Sequence, residues 1–153
     1  MINVKKLEAD QSVPFELLEL ADPSRERIKE YLSIGTCYVA NIRSQVVGAL
    51  LLDKVNEETV EIANIAVKEN MQGQGIGKKL LQFAESQSRK EGFRKLMIGT
   101  GNSSISQLAL YQKVGFEIIK IENNFFLENY NEPIFENGIQ CKHKIVLEKF
   151  IRD

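Results

Sequence analysis

Gln72-Gly73-Gln74-Gly75-Ile76-Gly77-Lys78-Lys79 is the stretch whose reading decides the fold. It follows a run rich in β-branched residues, Thr59 to Val67, and opens a segment of helical periodicity, Gly75 to Glu91. Glycines at such a junction admit positive φ and keep side chains out of a ligand's path. The helix beginning there presents N–H groups with no intrahelical partner and the positive end of its dipole, which together suit a phosphate or pyrophosphate. Three phosphate-binding patterns compete. In a P-loop reading, Gly77-Lys78 is the Gly-Lys pair, but Gln72 stands where the first glycine belongs and Lys79 where a hydroxyl residue belongs. The dinucleotide fingerprint GxGxxG fails on spacing from Gly73 and from Gly75. The third pattern, Gln/Arg-x-x-Gly-x-Gly/Ala, is met in full by Gln72, Gly75 and Gly77.

Downstream, Ile76, Leu80, Leu81, Ala84 and Ser88 fall on one helical face, and Gly92 is placed to end the helix. Lys95 to Thr100 reads as a strand. Ser103 or Ser104 then offers an N-cap for a helix carrying Ile105, Leu108, Ala109 and Tyr111 and ending at Gly115. Phe116 to Ile121 and Lys144 to Phe150 are further strands. Upstream, Thr36 to Ile42, Gln45 to Val55 and Thr59 to Val67 are three strands joined by turns at Arg43-Ser44 and Glu57-Glu58. Ahead of them lie a strand around Ile2 and Val4, a segment opened by Pro14, and a short helix marked by Ile28, Tyr31 and Leu32. The order is β-α-α-β-β-β-α-β-α-β, then an irregular stretch and a last strand. Tight turns imply an antiparallel meander, and the later β-α-β steps imply parallel neighbours with helices on the faces. The expected architecture is α+β, a mixed sheet of six to seven strands with about four helices.

The 153 residues suit one domain, 1–153, and 43% apolar content supplies a core without metal or disulfide staples. Charge is nearly balanced, 20 Lys+Arg against 21 Asp+Glu, which removes the electrostatic reason to expect nucleic acid. Cys37 and Cys141 are not a CxxC pair, and His143 is the only histidine, so a zinc site is not expected. The longest apolar run, Val46 to Leu52, is too short to cross a bilayer, and Met1 to Asp10 lacks a secretory h-region. These features read as a cytoplasmic protein with two reduced, buried thiols.

A second motif, Leu110-Tyr111-Gln112-Lys113-Val114-Gly115-Phe116, has the form Leu-Tyr-x-x-x-Gly-Phe. With Gln72, Gly75 and Gly77 it makes the sequence resemble the GNAT acyltransferase superfamily, over roughly residues 36–121. The resemblance implies a GNAT-like fold and transfer of an acetyl group from acetyl-CoA to a primary amine on a small molecule, polyamine or peptide. It also allows an alternative, a catalytically weak coenzyme A-binding module with a regulatory role, against which an intact Tyr111 argues.

The resemblance further implies roles by position. Main-chain groups of Ile65, Ala66 and Val67 would pair with the pantetheine arm. Gln72, Gly73, Gln74, Gly75, Ile76, Gly77 and Lys78 would cradle the pyrophosphate, with Lys78 adding charge, and Asn102 and Ser104 match positions that touch the cofactor. Tyr111 would be the general acid that protonates the departing thiolate. Glu61, eleven positions ahead of Gln72, or a water would be the base, and an N–H such as that of Val67 would stabilise the oxyanion. Strand alternation puts Glu61 on a face with Ala63 and Ile65, an apolar setting that would make it a better base; a bulge would change that parity. Acceptor choice would lie partly in Asn123 to Gly138, where Phe125, Phe126, Tyr130 and Phe135 alternate with Glu128, Glu132 and Glu136, a composition suited to a cationic amine. Edge strands in the C-terminal half are compatible with a homodimer.

Overall fold

The computed structural model describes residues 1–152. Strand β1 (Asn3–Lys6) leads through two short helices, α1 (Phe15–Leu18) and α2 (Arg25–Ile34), into β2 (Thr36–Ile42), β3 (Gln45–Lys54) and β4 (Thr59–Val67). One turn of 3-10 helix, Glu69–Met71, precedes α3 (Ile76–Lys90). Then come β5 (Lys95–Gly101), α4 (Ile105–Lys113), β6 (Glu117–Glu122), α5 (Phe125–Asn129), the paired β7 (Phe135–Glu136) and β8 (Ile139–Gln140), and β9 (Lys144–Phe150). Seven strands form one mixed sheet in the order β1-β2-β3-β4-β5-β9-β6. Among the described residues only β4 and β5 run parallel; β9 inserts antiparallel between β5 and β6.

The turns follow local chemistry. Arg43 and Ser44 both take positive φ, 51° and 68°, the pattern whose twist suits a two-residue hairpin. At the next turn the Asn56 side-chain oxygen accepts from the N–H groups of Glu58 and Thr59, each at 2.9 Å. Strand β3 is buried on both faces, which explains its nearly continuous apolar run. Leu50 and Leu52 join Ile62, Leu80, Leu96 and Leu147 in the core under α3. Ala49 and Leu51 join Leu18, Ile28 and Cys37 under α1 and α2.

The structure departs from the sequence reading in two places here. The stretch expected to be irregular contains α5 and a hairpin, and the hairpin turns on Asn137 and Gly138 at φ 56° and 73°. Helix α4 begins after Ser104, yet neither serine caps it. The Ser103 and Ser104 hydroxyls are instead turned towards β7, where they donate to Glu136 Oε1 at 3.2 and 2.7 Å.

Candidate active site

Two features of the sheet create the site. Parallel pairing between β4 and β5 runs from Thr59↔Lys95 to Ile62↔Ile98 and then stops. Beyond it, Asn64 to Val67 pair only with β3, while Gly99 to Gly101 pair only with β9. The strands splay, leaving main-chain groups of β4 without a strand partner on that side. The cause is a bulge: Leu51 opposes Asn64 and Leu52 opposes Ile62, so Ala63 has no partner. The bulge also changes parity. Ile65, opposite Leu50, packs on the α3 core, whereas Ala66, opposite Ala49, lies on the other face. Glu61 and Ile65 therefore do not share a face, contrary to simple alternation.

The second feature is the head of α3, which lies just beyond the open end of β4. Gly73 and Gly75 have φ of 79° and 85°, and a Cβ on either would meet no atom within 4 Å, so the loop is bare. The first main-chain bond of the helix runs from Lys79 N–H to Gly75 O at 3.1 Å; no main-chain bond among the described residues engages the N–H groups of Gly73 to Lys78. Ile76 is buried and anchors the helix start in the core, so its contribution to the loop is its backbone. Gln72 donates from Nε2 to Val67 O at 3.0 Å and ties the loop to the end of β4. Lys78 is exposed at the rim.

Between the splayed strands, α2 and α5 lies a cavity of about 320 Å³ lined by Glu61, Asn64, Ile65, Tyr111, Arg27 and Lys144, among others. Tyr111 is 5% exposed and stands beside Phe116, ring centroids 6.2 Å apart. Burial raises its phenol well above the ordinary value, so it holds its proton more tightly than a free tyrosine, which is itself protonated at neutral pH. The surroundings of Glu61 are not apolar: Oε2 lies 3.8 Å from Lys144 Nζ. Opposite Glu61 on β3 is Asp53, 4% exposed, whose carboxyl is pushed up to about 6, first by burial and then by Glu61. Gly99 leaves room for Lys144, whose Cε would overlap a Cβ there.

Asn102 and Ser104 are committed within the protein. Asn102 accepts at Oδ1 from the N–H groups of Lys142 and His143 at 2.8 and 2.9 Å and donates to Gln140 O at 3.1 Å. These bonds pin the loop before β9, as the Ser104 bond to Glu136 pins β7. The aromatic stretch does not form an open cationic cage either. Phe125 and Tyr130 face Arg27, at 5.3 and 5.5 Å from their centroids, and Phe125 also faces Lys144 at 4.8 Å. Glu128 and Glu132 are exposed. Sequence reading missed Arg27, Lys144 and Asn64, which come together only through long-range packing. No group of three or more His, Cys, Asp or Glu able to hold a metal occurs among the described residues, and no described helix is long and apolar enough to cross a membrane.

The model of the acetyltransferase (GNAT) family matches residues 4–116, and the chain belongs to that family. An uncharacterized N-acetyltransferase of Bacillus subtilis, YvbK, is 50% identical over 133 residues, covering 87% of this chain and 86% of its own. A GNAT acetyltransferase from Elizabethkingia anophelis, solved with acetyl-CoA bound, superposes with a TM-score of 0.96 at 46% identity over 97% of each chain. A Bacillus cereus protein described as an IAA acetyltransferase superposes with a TM-score of 0.94 at 45% identity, over 98% of this chain and 99% of that one.

Proposed function

We propose that this protein is an acetyl-CoA-dependent N-acetyltransferase that acetylates a primary amine by direct attack. The observation that carries the reading is the adjacency of the splayed β4–β5 edge to the bare head of α3. The edge offers main-chain donors and acceptors along Ile65, Ala66 and Val67, as an added strand would require. The head offers unengaged N–H groups from Gly73 to Lys78 to a diphosphate, with Lys78 adding charge. An extended amide arm ending in a diphosphate fits both. Acetyl-CoA supplies the activated acyl group as a thioester.

The chain's own residues then do three things. Glu61, or a water it orients, accepts the proton of the incoming ammonium so that a free amine attacks. The main-chain edge of β4 fixes the carbonyl, with an N–H such as that of Val67 facing the developing negative charge. Tyr111, protonated at neutral pH and buried in the cavity wall, donates a hydrogen bond or its proton to the leaving sulfur. A positioned acid of this kind contributes on the order of 10²–10⁴ in rate. Asn102 and Ser104 act at one remove, holding the segment that closes the cavity. The test is release of free thiol from acetyl-CoA across a panel of primary amines. Amine-dependent release is the expected result. Tight binding of acetyl-CoA with no release for any amine would refute the enzymatic reading.

A further inference from the structure

The cavity wall carries four carboxylates, those of Glu19, Asp22, Glu61 and Glu136, against two cations, Arg27 and Lys144. Three of the four carboxylates have a cation at hand. Glu19 meets Arg25 at 2.6 Å, Asp22 meets Arg27 at 3.9 Å and Glu61 meets Lys144 at 3.8 Å. Glu136, on β7, has no such partner among the described residues. Its Oε1 is held by the Ser103 and Ser104 hydroxyls at 3.2 and 2.7 Å. Its Oε2 accepts no hydrogen bond among the described residues and is not one of the atoms closed off from solvent. Gly101 brings an aromatic ring to the same place: a Cβ there would stand 3.5 Å from Ser104 Oγ and 3.6 Å from Phe126 Cε2. Arg27 faces Phe125 and Tyr130, and Lys144 faces Phe125, but no cation among the described residues stands over Phe126.

A cavity with an excess of carboxylate concentrates cations, and a fixed carboxylate beside an unclaimed ring suits an ammonium. We infer that the acceptor is an amine with a second ammonium group, a linear diamine or longer polyamine whose distal cation is held by Glu136 beside Phe126 while its reacting nitrogen lies near Glu61. This rests on the acetyltransferase reading above. Two positive charges match the wall's excess, four carboxylates against two cations, whereas a carboxylate on the acceptor would add to it. The spacing sets the length. Glu61 is level with Met97 on β5, and Gly101 lies at the end of that strand, roughly 13 Å further on. Allowing about 3 Å for a hydrogen bond at each end leaves about 7 Å between the two nitrogens, the reach of roughly four to six methylene groups. In the transfer the reacting ammonium gives one proton to Glu61 or its water, and the C–N bond forms as the C–S bond breaks. The second proton leaving that nitrogen balances the one the sulfur takes up. The distal ammonium keeps its charge throughout.

The experiment compares diaminobutane, diaminopentane and diaminohexane, each with an amine at both chain ends, against butylamine, pentylamine and hexylamine. Rates of thiol release from acetyl-CoA are corrected for the free-amine fraction and for the two equivalent nitrogens of a diamine. At least one diamine is expected to exceed its monoamine in kcat/KM by about 10- to 150-fold, the effect of a charged hydrogen bond. Glu136→Gln keeps an oxygen for both serine hydroxyls and removes the charge. It should abolish that ratio while leaving the acetyl-CoA dissociation constant unchanged. Phe126→Leu should lower the ratio by about 2- to 30-fold; a ratio it does not touch would remove the ring from the site. Equal kcat/KM for all three pairs in the wild type would overturn the inference, and so would a ratio that survives Glu136→Gln. Both results leave the acetyltransferase reading intact, since thiol is still released. No release with any of these amines would also overturn the inference, and the wider amine panel above then decides the acetyltransferase reading separately.

Discussion

The α3 head can be probed with one substitution made at two glycines, because the backbone there predicts opposite signs. Gly75 has φ of 85°, a left-handed conformation that costs an L-residue roughly 1–2 kcal/mol. A Cβ there meets nothing within 4 Å, so packing neither adds to that cost nor offsets it. Gly77 lies inside the first turn of α3, and a Cβ there would meet Leu110 Cδ2 at 3.7 Å and Val67 Cγ2 at 3.9 Å, ordinary contacts. Alanine at such a position gains about 0.4–1 kcal/mol by narrowing the unfolded chain. At about 2–4 °C per kcal/mol for a chain of this size, Gly75→Ala should lower Tm by roughly 2–8 °C and Gly77→Ala should raise it by about 1–4 °C. Urea unfolding of the ligand-free proteins checks the same difference, with unchanged m values expected. If Gly75→Ala melts with the wild type, or both variants fall together, the loop is not held in the conformation that makes it an anion cup.

Tyr111→Phe should lower kcat by about 10²–10⁴ with little change in acetyl-CoA affinity; an unchanged kcat removes the phenol from the reaction. Asn102→Ala should cost about 1–3 kcal/mol and speed amide exchange at Lys142 and His143, since it removes the acceptor of both N–H groups. Weaker acetyl-CoA binding with unchanged exchange would mean that Asn102 acts on the ligand. Asp53 carries a folded-state carboxyl raised from 3.8 to about 6, so its contribution to stability is fully present below pH 3.8 and is lost as pH rises through 6. Asp53→Asn should therefore gain stability relative to wild type between pH 4 and pH 8, read as urea midpoints at the two ends; a difference independent of pH would contradict this.

Much of this fold is legible in sequence because its central elements obey their own periods. The apolar face of α3 and the β-branched run of β4 place the glycine loop between a strand and a helix, and the loop then speaks for itself. The Asn137-Gly138 hairpin was equally open to reading, since that dipeptide favours the turn it makes. Aromatic and acidic composition obscured it. The bulge at Ala63 is a different case: alternation through Glu61, Ala63 and Ile65 looks unbroken, and only pairing against Leu51 and Leu52 reveals the extra residue. The apolar setting expected for Glu61 failed for a related reason, because Lys144 arrives from β9, far along the chain. Composition likewise paired the aromatics of 125–130 with nearby glutamates, whereas packing gave their faces to Arg27 and Lys144.

Titration calorimetry of the purified protein with acetyl-CoA tests most directly whether the glycine-lined helix head and the open edge of β4 form one binding site. A single saturable site is expected, with a dissociation constant in the range of about 1 μM to 1 mM that enzymes commonly show for their substrates. Absence of binding heat across that range, together with no rise in Tm at saturating acetyl-CoA, would contradict the account.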